Sequence, residues 1–214
     1  MPVVVAALDH LVIASATLEQ GEDHLERLLG VRPQRGGNHV AMGTHNSLLK
    51  LGAKTYLEVI AIDPEASPPK RPRWFALDSG AMRDALVEMP RLIHWVVRTD
   101  DIDAARRVSP IVLGPARPME RGAFRWRITI PDDGRLPGEG LVPTLIQWSD
   151  ARHPTDTMQE SRVRLVALSA AHPEPARIRS ALEKLSLGEM LKVTFGTTPR
   201  LAAMLQTPRG PVTL

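Results

Sequence analysis

The sequence predicts an α+β protein built from tandem strand–helix–strand–strand–strand (βαβββ) units. Three observations carry that expectation. Leu8–Ala14 and Leu92–Val97 are apolar strand patterns that each hold one histidine, His10 and His94. Each is followed by a helical pattern and then by further short apolar segments. Each repeat closes on another apolar strand with one polar insert, Glu58 within Tyr56–Ile60 and Gln147 within Leu145–Trp148. A lone polar group in an apolar strand is costly unless it is satisfied. Four of them at matching places predict a shared site.

The elements follow in order. The first unit spans 8–62. Thr17 caps its helix with Gln20 as the return half of a capping box. Leu18, Leu25, Leu28 and Leu29 share one face, and Gly30 ends the helix. Strands are expected near His39–Met42, Thr44–Leu51 and Lys54–Ile62, divided by Gly43 and Gly52. A connector at 63–90 carries Pro64, Pro68, Pro69 and Pro72, then a short helix over Asp78–Met89. Trp74 and Phe75 are expected to pin this connector to the body. The second unit spans 91–154. Its helix starts at Asp100 or Asp101 and runs through Val108. Strands follow at Ile111–Leu113 and Phe124–Ile130, then a Gly- and Pro-rich loop, then Thr144–Trp148. A partial third unit spans 160–214. It has a strand at Val163–Ser169, a helix opened by Pro175 with Ile178, Ala181, Leu182 and Leu185 on one face, and strands near Lys192–Phe195, Leu201–Gln206 and Val212–Leu214. Its first strand has no histidine, so a supporting role is expected.

Composition narrows the function classes. The 214 residues include 43% hydrophobic and 24% charged side chains, ordinary for a globular chain. No stretch approaches the roughly 20 apolar residues of a membrane span. Val3–Ala7 is too short, and lacks the basic lead, for a signal peptide. A cytoplasmic protein is therefore expected. With no cysteine, a disulfide framework and a thiolate metal site are excluded. The net charge of +3 is spread over scattered basic residues, and aromatics are only 4%, which leaves little for base stacking. Nucleic acid is not an expected partner. A small anionic ligand suits the charge better.

Several segments together carry a family resemblance: LDHLVIA, LERLLGV, GGNHVAMGTHNSLLKLG, TYLEVIAIDP, IHWVVRTDDID, RWRITIP and PTLIQWSDARHP. Over about residues 8–154 the chain resembles the vicinal oxygen chelate superfamily, and within it the glyoxalase-like domain proteins. The resemblance implies a curved mixed sheet with a concave inner face. It also implies a divalent metal, one of Zn, Ni, Co, Fe or Mn, held by the first and last strands of each unit. Carried over residue by residue, the ligands are His10, Glu58, His94 and Gln147. Strand alternation allows this. His10 lies opposite Leu11, Glu58 opposite Leu57 and Val59, His94 opposite Trp95, and Gln147 opposite Ile146 and Trp148. In each strand the apolar neighbours are then free to pack under helices.

The implied activity is that of an isomerase or lyase acting on a small oxygenated, anionic metabolite, with Glu58 as the acid that moves a proton. Gln147 cannot accept a proton, a departure from the glutamate that glyoxalases carry there. Two alternatives stand beside this reading. One is a non-catalytic ligand-sequestering protein of the bleomycin-resistance type. The other is an extradiol-type dioxygenase, because two histidines and one carboxylate suit non-haem iron. Arg125 and Arg127 are candidates to hold a substrate carboxylate or phosphate, and His39 and Asn46 to reach the pocket rim. His24, His45, His153 and His172 read as surface or turn residues. A homodimer is expected, because a partial third unit offers a sheet edge.

Overall fold

Alternation along two central strands sets the architecture. In the computed structural model, which describes residues 6–214, β1 (Ala6–Ala14) and β5 (Arg91–Thr99) pair antiparallel at the middle of an eight-stranded sheet. Val3–Val5, most of the apolar start considered for a signal peptide, lie outside the described residues. After β1 come α1 (Leu18–Leu29), β2 (Gln34–His39), β3 (Thr44–Gly52) and β4 (Thr55–Ile62). The connector carries a 3₁₀ turn at Trp74–Ala76 and α2 (Gly80–Glu88). After β5 come α3 (Ile102–Val108), β6 (Ala116–Arg121), β7 (Phe124–Thr129) and β8 (Thr144–Trp148). The strand order is β2-β3-β4-β1-β5-β8-β7-β6. β1 runs parallel to β4, as β5 does to β8, so the two halves repeat one pairing scheme.

The helix signals are realised as chemistry dictates. The Thr17 hydroxyl accepts from Gln20 N–H at 3.1 Å, and the Gln20 side chain accepts from Ala16 N–H at 2.9 Å. Gly30 ends α1 in the left-handed region that glycine tolerates. Asp101 caps α3 by accepting from Ala104 N–H.

The sheet has two faces with different cores. On the convex face, Leu11, Ile13, Leu57, Val59, Trp95 and Val97 pack against Leu18, Leu25 and Leu29 of α1 and Ile102 of α3. On the concave face, Val12, Ile60, Val96, Trp126, Ile128 and Ile146 meet Trp74, Phe75 and Leu77 of the connector. Trp74 and Phe75 thus do pin the connector, and they do so over the concave face. The sheet curls until its edge strands meet. A Cβ on Gly37 of β2 would come within 3.0 Å of the Arg121 side chain of β6.

Some segments differ from the sequence expectation. The strand expected at His39–Met42 is β2, which ends at His39, and Val40–Met42 is a 3₁₀ turn. Ile111–Leu113 is irregular; the strand is β6, whose Arg117, Pro118 and Glu120 break any apolar pattern. An edge strand tolerates that proline because one side of its ladder is open.

The C-terminal segment has the expected element order: β9 (Arg164–His172), α4 (Pro175–Lys184), β10 (Lys192–Phe195), β11 (Arg200–Thr207) and β12 (Gly210–Thr213). Its pairing differs from the first two units. The order is β10-β9-β11-β12, with β10 parallel to β9. The four-residue β10 returns from α4 directly beside β9, so the last strand is displaced to the outer edge. Val163, Leu168, Ile178, Leu182 and Leu205 join the same core as Leu11 and Trp95. Ile178→Ala is therefore expected to cost about 2–5 kcal/mol and to leave one cooperative unfolding transition. Urea unfolding followed by fluorescence and by circular dichroism checks this, and two separated transitions would contradict the shared core.

Candidate functional site

The concave face closes on a small cavity lined by His10, His39, Tyr56, Glu58, Arg121 and Trp148, with Trp74 and Phe75 as its cover. The free space is about 20 Å³, near the room one water occupies.

His10 owes its setting to an irregularity in β1. Pairing with β5 slips between Leu8 and His10, leaving Asp9 as an extra residue. Such a bulge re-aims side chains that strict alternation would place on opposite faces. Asp9 and His10 consequently meet, with Oδ1 and Nδ1 2.7 Å apart. Asp9 also accepts from Trp148 Nε1 at 2.9 Å and lies 3.2 Å from His153 Nε2. Its carboxyl is fully buried, and burial alone would raise its pKa. The hydrogen bonds and charges of His10 and His153 outweigh that and hold it well below the usual carboxylate range. Asp9 is thus an acceptor, which places a proton on His10 Nδ1 and turns Nε2 toward the cavity.

There His10 Nε2 lies 3.6 Å from Glu58 Oε2. The other Glu58 oxygen accepts from Asn46 Nδ2 at 2.5 Å. Asn46 is itself fixed: its Oδ1 accepts from Gly37 N–H at 3.1 Å and from Arg121 Nη1 at 2.9 Å. Glycine is required at position 36, where a Cβ would sit 2.2 Å from Asn46 Oδ1. His39 completes the rim. Its Nδ1 is 3.2 Å from Thr44 Oγ1, and its Nε2 accepts from Arg121 Nη1 at 3.3 Å. Burial, then the Arg121 charge, push the His39 pKa well below its ordinary value, so the ring is neutral. Tyr56 stacks on His10 with ring centres 4.6 Å apart.

Of the four residues carried over as metal ligands, two meet. His94 shares the concave face but is committed to the backbone. Its Nε2 accepts from Thr144 N–H at 3.1 Å, and its Nδ1 donates to Gly140 O at 3.0 Å. Gln147 faces the convex side, where it accepts from Ile102 N–H at 3.1 Å and donates to Asp100 O at 2.6 Å at the start of α3. In the second half it is the apolar set, Trp126, Ile128, Ile146 and Trp148, that faces the cavity. Arg125 and Arg127 are outside it for the same reason: Arg125 pairs with Glu120, and Arg127 with Asp103 of α3. Among the described residues, no three His, Asp or Glu side chains converge to hold an ion. The donor set therefore does not fit a four-ligand divalent centre, nor the two-histidine, one-carboxylate set of an iron dioxygenase.

Sequence reasoning missed Arg121, the buried carboxylate of Asp9 and two histidines. His153 is buried at 3% exposure against Asp9, and His172 at 3%, with Nε2 3.3 Å from Glu139. A visible signal for His153 was the proline after it, which opens a 3₁₀ turn that Asp156 caps. Arg121 had no such signal, because its approach depends on the curl of the sheet.

A family model described as a glyoxalase-like domain matches residues 8–186. No curated protein matches the chain. Among solved structures, a hypothetical protein from Staphylococcus aureus is 14% identical, with a TM-score of 0.60 over 92% of this chain and 88% of that one. A methylmalonyl-CoA epimerase from Mycobacterium tuberculosis is 22% identical, with a TM-score of 0.40 over 68% and 88%. The first likeness speaks to the fold. Among the described residues, no helix is long and apolar enough to cross a membrane.

Burial lowers the His94 pKa from 6.5 to about 4. The unfolded chain thus gains a proton on acidification before the folded one does. Stability tied to His94 is complete above pH 6.5 and is lost as pH falls toward about 4. The loss tied to Asp9 begins only below its ordinary 3.8. His94→Asn is expected to lessen the slope of stability against pH across the upper window, leaving the share due to His39, and to leave the lower window unchanged. Denaturant midpoints at stepped pH measure this, and an unaltered slope in the upper window would reject the assignment.

Proposed function

The chain belongs to the glyoxalase-like domain family, and from that premise we propose that it is a proton-transfer enzyme, an isomerase or lyase acting on a small oxygenated anion. The observation that carries this reading is the buried row Asp9–His10–Glu58, which ends at a cavity beside Arg121. Asp9 fixes the tautomer and angle of His10, as a buried carboxylate does for a catalytic imidazole. Glu58 keeps one oxygen on Asn46 and leaves Oε2 free at 3.6 Å from His10 Nε2.

In this reading the Glu58 carboxylate takes a proton from the carbon next to a substrate carbonyl. The electron pair of that C–H bond moves to the carbonyl oxygen. Arg121 sits where this negative charge develops, and a fixed cation in a water-poor site stabilises it strongly. The bare His10 Nε2 accepts the proton of the neighbouring hydroxyl as that oxygen becomes the product carbonyl and passes it to the former carbonyl oxygen, while Glu58 returns its own proton to the adjacent carbon. Proton transfer of this kind contributes about 10²–10⁴-fold. The reading assigns no step to a metal.

The test is deuterium incorporation from D₂O into short 2-oxo and 2-hydroxy acids, followed by NMR. Wild type is expected to catalyse exchange. Glu58→Gln and His10→Asn are expected to lower the rate about 10²–10⁴-fold, and Asp9→Asn to lower kcat with a smaller change in KM. Zn, Ni, Fe or Mn should leave Tm unchanged, because bound ions would raise it by linkage. Binding without exchange would favour the sequestering role. A metal-induced rise in Tm that disappears in Glu58→Gln would restore a metal centre.

A further inference from the structure

We propose that the cavity selects a single carboxylate group, held between the Arg121 guanidinium and the indole N–H of Trp74, with the connector around Trp74 serving as a strap that delivers this second donor. The inference rests on the reading of this cavity as the substrate site and names the class of molecule it takes.

Two donors in the cavity lack what such groups ordinarily have. Trp74 is 5% exposed, and its Nε1 has no hydrogen-bond partner. The buried Trp95 indole donates to Leu141 O at 3.1 Å and the half-buried Trp148 indole to Asp9 at 2.9 Å. Buried donors are nearly always paired, so an orphan beside a cavity points to an acceptor supplied by a ligand. Arg121 makes no ion pair among the described residues, although most arginines around it do. Its hydrogen bonds run from Nη1 alone, to Asn46 and His39. The rest of its fork is available, and a carboxylate offers two oxygens that match a guanidinium and a second N–H. Glu58 lines the cavity and the buried Asp9 carboxylate lies behind His10, which disfavours a ligand with a second negative charge.

The strap explains how a ligand enters so small a space. Phe75 and Ala76 hold φ of 57° and 56° without being glycine, a costly conformation that persists only when neighbours impose it. The neighbours are identifiable. Ala76 N–H donates to Gly134 O at 2.8 Å, and Arg73 is tied to Asp78 at 2.7 Å and to Gly43 O at 3.3 Å. Release of the Ala76 bond relieves the strain and withdraws Trp74 together with Phe75, which stacks on it at 5.3 Å. A small carboxylate enters through the opening so made.

The experiment is NMR titration of protein carrying ¹⁵N-labelled tryptophan with pyruvate and lactate, using lactamide as the uncharged control. The Trp74 indole signal is identified by its loss in Trp74→Phe. Both acids are expected to bind saturably below about 10 mM and to move that signal downfield, while lactamide binds at least tenfold more weakly. Trp74→Phe is expected to weaken acid binding about fivefold or more, and Arg121→Gln about tenfold or more, as loss of one neutral and one charged hydrogen bond implies. If Trp74→Phe does not fold, the Trp74 signal is identified by elimination with Trp95→Phe, Trp126→Phe and Trp148→Phe, and its shift together with Arg121→Gln decides the matter. Absence of saturable binding, an unmoved Trp74 signal, or equal affinity for lactamide would overturn the proposal. If the acids bind and move Trp74 but no deuterium exchange occurs, the proton-transfer reading falls and this one stands. Exchange with an unmoved Trp74 gives the reverse.

Discussion

The site depends on one buried carboxylate. Asp9 is fully enclosed, and a buried charge is tolerable only when paired and hydrogen-bonded. Its partners are His10 beside it and, from far along the chain, Trp148 at the end of β8 and His153 just beyond. Each contact constrains a different feature. His10 gains a fixed tautomer. Trp148 is anchored by its indole N–H at the cavity wall. His153, through Thr155, links the end of the second unit to Ala53 in the first. Removing the carboxylate would free all three, and the bulge in the central strand is what brings Asp9 to meet His10.

The two halves of the sheet share a pairing scheme but divide the labour. The first half contributes the polar groups: His10, His39, Asn46 and Glu58 all come from β1 to β4. The second half contributes an apolar wall and one cation, Arg121, delivered by the edge strand β6. Such a division suits chemistry on a small anion. An apolar wall keeps the local dielectric low, and low dielectric strengthens a charge interaction between Arg121 and a developing oxyanion. It also explains why a symmetric ligand set from both halves is not assembled.

Much of the fold was legible because it follows from local rules. The capping box at Thr17, the terminal Gly30 and the apolar face of α1 all appear where the chemistry puts them. The strand β6 was not legible, since an edge strand needs no apolar alternation. For the site, the concave placement of His10 and Glu58 could be read from alternation, and the convex placement of Gln147 could not. Alternation gives two faces but does not say which one is concave. In β7 and β8 the apolar residues turn inward, and the polar ones serve α3 and solvent. Arg121 and His153 reach the site through the curl of the sheet and the path of the segment after β8, which are properties of the whole chain.

The central claim is that Asp9 holds His10 with its proton on Nδ1, so that Nε2 serves Glu58 and a substrate. The most direct measurement is long-range ¹H–¹⁵N NMR of the His10 ring. The account predicts a protonated, shielded Nδ1 beside a bare, strongly deshielded Nε2, a pattern that is lost in Asp9→Asn. A His10 ring carrying its only proton on Nε2, unaffected by Asp9→Asn, would contradict it.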